Sequence, residues 1–202
     1  MAQTSTTIRS AASHKSTLTG TVISFTQTGL EYKISSSNTA TLSLAGWAQY
    51  DLITVSGSTN NNKTFTVKSV AANGSYIIVE EAVTTESAGA SMSIAHVGFV
   101  TDKYQGDGYY SQVDGMHTVA YHVSAGSNTA ANNFNGSIKM QGSLATIPTE
   151  DDWFDISGTT FTADTSTSVS SYNFTGNFVW VRAKCYNWTT ASSSVTKILY
   201  NH

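Results

Sequence analysis

Short runs of alternating apolar and polar residues, separated by tracts of Gly, Ser, Thr and Asn, recur along this chain. In TFTVKSV, Phe65 and Val67 alternate with Thr64, Thr66 and Lys68, the period of two expected of a half-buried strand. The runs LTGTVISF, EYKI, ATLSL, LITVSG, YIIVEE and ASMSIA between Leu18 and Ala95 read the same way. AANGS places Asn73-Gly74 between two such runs, a strong hairpin signal because both residues tolerate positive φ. LAGWAQYD reads as an irregular turn with Trp47 in the core. Further on, MHTVAYHVS, SIKMQGSL, GNFVWVRAKCYNW and SVTKILY are strand candidates, with the uncharged loop AGSNTAANNFNG after the first. No helical period intervenes.

The expected fold class is therefore all-β, with two small antiparallel β-sandwich or barrel domains. Residues 1–17 form a polar N-terminal arm, 18–97 a small barrel or sandwich, and 98–202 a sandwich of jelly-roll type. The arm has almost no apolar anchors and is expected to fray unless a neighbouring subunit holds it.

Composition changes the picture in one respect. Charged residues make up 11% of the 202, against about 25% in ordinary globular domains. The stretch DLITVSGSTNNNKTFTVKSV carries three charges in twenty positions, so hydroxyls and amides occupy the surface that charges usually hold. The apolar share of 40% excludes a disordered chain. The net charge of −3 is small, and Lys and Arg occur singly, with no basic stripe for nucleic acid. No apolar run is long enough to cross a bilayer as a helix, and no signal peptide opens the chain, so synthesis in a cytoplasm is expected.

Candidate chemistry is sparse. Cys185, the single cysteine, alternates in phase with Val179, Val181 and Ala183 and reads as a small buried hydrophobe. His117 and His122 lie five apart in a strand and face opposite ways, while His14, His96 and His202 are isolated, so no metal site is expected. Asp102, Asp107 and Asp114 lack calcium-loop spacing; Asp107-Gly108 and Asp114-Gly115 read as turn pairs. Glu150, Asp151, Asp152 and Asp155 flank Trp153 in an acidic loop that reads as solvated, with Trp153 anchoring it to the core. Neither catalytic nor cofactor-binding residues are expected. The aromatic residues Tyr104, Tyr109, Tyr110, Trp153 and Trp188 are in or beside loops, where such rings serve as protein–protein anchors or stack on sugars. Trp180, on a strand between valines, reads as core.

Two stretches carry a resemblance. DLITVSGSTNNNKTFTVKSVAANGSYIIVEEAVTTESAGASMSI resembles a small β-module of tailed-bacteriophage structural proteins, with Lys63 where that module often has Gly. In the second half, GDGYY, DGMHTVAYHV, IKMQGSLATIPTEDDWFDI, SYNFTGNFVWVRAK and KILYNH resemble virion proteins of marine cyanophages. The resemblance implies a non-enzymatic virion structural protein on the particle exterior, as capsid decoration or as a neck or tail-fibre component. Its implied partners are copies of itself, as a trimer, and other virion proteins. The alternative is a carbohydrate- or receptor-binding module that takes a host surface glycan on the loop aromatics. A hydrolase built on the acidic loop is the third reading.

Overall fold

The structure is a computed structural model, and it describes residues 5–110, 115–124, 133–163, 168–189 and 192–202. Every regular element of more than four residues among them is a strand, and the strand pairs within each unit run antiparallel. The chain forms two compact units. Lys15–Phe99 is one, an inserted unit; Met1–His14 together with Val100–His202 is the other, a split unit.

The inserted unit holds β3 (Leu18–Gly20), β4 (Ile23–Thr28), β5 (Glu31–Ser36), β6 (Asp51–Ser56), β7 (Thr64–Val70), β8 (Tyr76–Val79) and most of β9 (Met92–Val100). Its strand order is β9-β6-β7-β8-β5-β4, with β3 on β9. Inward phases meet in one core that includes Ile23, Phe25, Ile34, Ile53, Phe65, Ile77 and Ile94. The run ATLSL forms no strand. It is an irregular turn that still buries Leu42 and Leu44, held by Leu42 N–H on Asn38 O at 3.0 Å and Leu44 N–H on Gly74 O at 2.9 Å. Trp47 lies in the core, as its sequence context predicts.

The Asn73-Gly74 hairpin between β7 and β8 forms by a different division of labour from the one expected. Only Gly74 takes positive φ, at 68°, and it donates to Ala71 O at 2.8 Å. Asn73 contributes its side chain, whose Oδ1 accepts from Ser75 N–H at 3.1 Å. A Cβ on Gly74 would lie 2.3 Å from Ser43 Oγ, so packing as well as φ requires glycine there.

The split unit is built from two sheets. One has the order β1-β17-β11-β15, using β1 (Ser5–Arg9), β17 (Ser194–Asn201), β11 (Met116–Val123) and β15 (Val169–Thr175), with β2 (Ala12–Ser13) also on β17. The other centres on β12 (Ser137–Ser143) and β16 (Trp180–Tyr186), flanked by β10 (Tyr104–Gln105), β13 (Phe154–Asp155) and β14 (Phe161–Thr162). From β11 onward the long strands β11, β12, β15, β16 and β17 alternate between the sheets, as in a sandwich. Val119 and Tyr121 of the first sheet and Met140, Ala183 and Cys185 of the second are buried, and Tyr121 Oη donates to Thr159 O at 2.9 Å.

The N-terminal arm departs from expectation. Ser5–Arg9 pairs with the chain's own β17, with Ser5 opposite Asn201 and Thr7 opposite Leu199, so its backbone is held within the chain rather than by a neighbour. Ile8 is its buried anchor. Of the uncharged loop after β11, residues 125–132 lie outside the described residues. Its end is packed, with Phe134 buried against Phe161 and Trp188.

Candidate functional site

The outward face of the β12–β16 sheet gathers much of the chain's scarce charge. Along β16, Val181, Ala183 and Cys185 are buried inward, which turns Trp180, Arg182, Lys184 and Tyr186 the other way. Register sets their neighbours on β12: Ser143 beside Trp180, Gln141 beside Arg182, Lys139 beside Lys184. Four of the ten basic residues, Lys103, Lys139, Arg182 and Lys184, belong to this face.

Aromatic rings cover it. Tyr109 packs on Trp180 with centroids 5.0 Å apart, and Tyr110 meets Tyr109 edge-on at 5.2 Å. Lys103 Nζ lies 4.5 Å over the Trp180 ring. Tyr109 and Tyr110 are 44% and 50% exposed, high for rings this large. Tyr104 is half-buried on β10, opposite Val181, and burial with the nearby Asp102 charge raises its pKa. Trp180 is thus half-buried and outward rather than in the core; the valines beside it belong to the opposite phase of the strand.

The acidic loop is tied down on the same face. Arg182, 4% exposed, makes a bidentate pair with Glu150 at 2.8 and 2.9 Å and donates Nε–H to Gln141 Oε1 at 3.0 Å. The Trp153 ring lies 4.2 Å from the guanidinium carbon, so Trp153 stacks on the arginine rather than anchoring the loop in the core. Asp155 pairs with Lys139 at 2.5 Å and accepts from Gln141 at 3.0 Å. Burial alone would raise its pKa, but these donors outweigh it and lower the value. Asp152 accepts from Thr149 N–H and Oγ1, which lower its pKa too. Neither carboxyl has the raised pKa a general acid needs near neutrality.

Trp188 does not belong to this face. It is fully buried beside Phe134, and its indole N–H donates to Ser193 Oγ at 2.6 Å, so it offers no stacking surface. Asp114 lies outside the described residues.

The split unit also contains a polar cluster that spacing does not reveal. Asp107, His117 and His202 place one ligand atom each within 4.8 Å of one another. His117 is in phase with the inward Val119, Tyr121 and Val123 of β11, and Thr118 pairs with Asn201 of β17. One more antiparallel step sets His202 opposite His117. Asp107 opens a short 3-10 turn and is buried; its Oδ2 accepts Gly115 N–H at 2.7 Å, so it is more than a turn residue. His122, as its phase predicts, faces away from His117; burial and Lys197 lower its pKa.

In the inserted unit, buried Asp51 pairs with Lys15, accepts Ala48 N–H at 2.7 Å and lies 3.7 Å from His96 Nε2. Burial raises its pKa, and the His96, Lys15 and Ala48 contacts together outweigh this and lower it. Lys15 Nζ is 5.9 Å from the Trp47 ring centroid. Asp51 is thus held by a lysine, a backbone amide and a histidine of its own unit.

Comparison with known proteins finds no family model and no curated protein that matches the chain.

Proposed function

We propose that this chain is a non-enzymatic structural protein of a tailed-bacteriophage particle, carried on the exterior, and that the outward face of the β12–β16 sheet is its contact with a partner. The sequence resemblance of Asp51–Ile94 and of the second half supports the virion reading. The observation that carries the contact surface is the exposed Tyr109–Tyr110 pair packed on Trp180 beside the ordered Arg182–Trp153 stack. Tyr and Trp are among the residues that dominate binding energy at interfaces, because they bury large area at small conformational cost. The partner is a second copy of the chain or another virion protein.

Gold-labelled antibody against the protein, imaged on intact particles from a lysate of the source phage, tests the reading. Label on the head makes it a decoration protein, and label on the neck or tail makes it a collar or fibre component. No label on intact or opened particles, with the protein present in the lysate, overturns the virion assignment.

A second reading uses the same rings. Exposed tyrosines beside Gln105 and Lys103 match the stacking-plus-polar pattern that holds sugars, so a host surface glycan is the alternative ligand. Glycan affinity that disappears in Tyr109→Ala with the fold intact would favour it.

A further inference from the structure

We propose that Asp107, His117 and His202 bind a divalent transition-metal ion of the zinc class. The donor set is two imidazoles and one carboxylate, which suits such ions and suits calcium or magnesium poorly. His117 Nε2 is 3.4 Å from Asp107 Oδ2, and His202 Nδ1 is 3.7 Å from Asp107 Oδ1. Both separations are longer than good hydrogen bonds. The first is close to the edge of a tetrahedron with zinc-length bonds, about 3.3–3.6 Å from bonds of about 2.0–2.2 Å; the second runs to the other carboxylate oxygen, so the carboxylate or the exposed His202 ring turns slightly to share one ion.

The surroundings are those of a ligand shell. His117 is fully buried, and its ring packs beside Phe174 and Tyr200 at centroid distances of 5.0 and 5.9 Å. Tyr200 Oη lies 2.7 Å from His117 Nδ1; with an ion on Nε2, Nδ1–H donates to it and holds the ring in the ligating tautomer. In that tautomer Nε2 faces Asp107 and the carbonyl oxygen of Gly176, 3.2 Å away, and an ion between them removes the repulsion. Gly115 N–H fixes the Asp107 carboxylate through Oδ2. Among the described residues, the ion-pair partners of this buried carboxylate are the two imidazoles, with no lysine or arginine. His202 is a third exposed and gives the ion its route in from solvent. The competing arrangement places the proton on Nε2, bonds it to Gly176 O and needs no metal.

The bound ion ties together three segments: the 3-10 turn at Asp107, strand β11 and the end of β17. Its role is structural, and the proposal stands whether or not the protein belongs to a phage particle.

The test uses the full chain, stripped with a chelator and titrated with zinc against a chromophoric competitor, then with cobalt(II) as a spectroscopic probe. The expected result is one equivalent of zinc bound at micromolar affinity or better, a higher thermal midpoint with zinc, and the intense visible bands of four-coordinate cobalt. His202→Ala, at an accessible side chain, should keep the far-ultraviolet circular dichroism of the parent and lose at least tenfold in affinity, as should Asp107→Asn. Tyr200→Phe should weaken binding about tenfold by loosening the His117 ring. Failure of the parent to compete for zinc overturns the proposal. So does undiminished binding in both His202→Ala and Asp107→Asn, which would place the ion at other side chains.

Discussion

The loop joining β6 to β7 and the outward face of the β12–β16 sheet solve the same problem with opposite chemistry. In the loop, Ser58, Thr59, Asn60 and Asn61 converge on a single carboxylate. Ser58 Oγ donates to Glu86 at 2.6 Å, Thr59 N–H at 2.9 Å, Asn60 N–H at 3.2 Å and Asn61 Nδ2 at 3.1 Å. Asn61 also spans Thr84, donating to its carbonyl at 2.9 Å and accepting its N–H at 2.8 Å. On the sheet face, order comes from ion pairs and rings: Arg182 with Glu150 and Trp153, Lys139 with Asp155. The uncharged tract is therefore a built structure, and its amides and hydroxyls fix a loop that would otherwise need charges or a core. Four of the ten basic residues, with Glu150 and Asp155, lie where the chain presents its aromatic rings.

The comparison is broken most severely at Arg182. Arg182→Ala removes the centre of the charged face, strands Gln141 and Glu150 and uncovers Trp153. A loss of about 3 kcal/mol is expected in urea unfolding. Asn61→Ala strikes the corresponding point of the loop. It removes two hydrogen bonds to Thr84 at a part-buried site and leaves a cavity where the buried amide sat, and about 1.5 kcal/mol should be lost. A loss of less than a few tenths at Asn61 would mean that the loop is solvated and that its hydrogen bonds hold nothing in place.

Acid sharpens the comparison further. The Ser58 hydroxyl and Thr59 amide, with Asn60 and Asn61, outweigh a small burial penalty and hold Glu86 at a pKa of about 2, against an ordinary 4.5. A carboxyl depressed on folding stabilises the protein fully above its unfolded pKa and loses that contribution as pH falls through the folded value. Stability should therefore decline between about pH 5 and pH 2, and Glu86→Gln should flatten that decline. At pH 7 the same substitution should cost about 1 kcal/mol, because the site is open to water.

How much of this was legible in the sequence depends on how many residues of an element face inward. β7, β8, β11 and β16 each carry at least two buried apolar residues in phase, and each was readable by alternation. β15 was not, because among its seven residues only Phe174 is buried, and the inward phase is otherwise held by half-buried Ser170 and Tyr172. β1 has only Ile8. In SVTKILY the inward phase jumps from Val195 to Ile198, because the register slips between His122 and Val123, and a strict period of two misses it. The two tryptophans exchanged places for a related reason. Trp180 shares its strand with valines but not their face, while Trp188, after the strand, turns inward against Phe134. The Asp107–His117–His202 cluster depends on the long-range pairing of Thr118 with Asn201, and no local spacing encodes that register. The signal that was present is weaker: His117 and Tyr200 each fall on the inward phase of their strands.

The smallest effect on stability falls on Tyr110, and it bears most directly on the proposed contact. Half of the ring is exposed; its hydroxyl bonds Gln105 and its edge meets Tyr109. Tyr110→Ala should cost no more than about 0.5 kcal/mol, the range of an exposed position outside the core. If the chain is a virion protein that docks through the outward face, as proposed, the same substitution should reduce incorporation into particles by a factor of ten or more, since a ring near the centre of an interface is worth about 1.5–2 kcal/mol there. Arg182→Ala cannot separate docking from folding, because it disturbs both, whereas Tyr110→Ala leaves the Arg182–Trp153 stack and the β12–β16 register in place. Wild-type incorporation of a folded Tyr110→Ala protein would move the contact elsewhere and leave the charged face as a purely internal brace, the counterpart of the Glu86 loop in function as well as in stability.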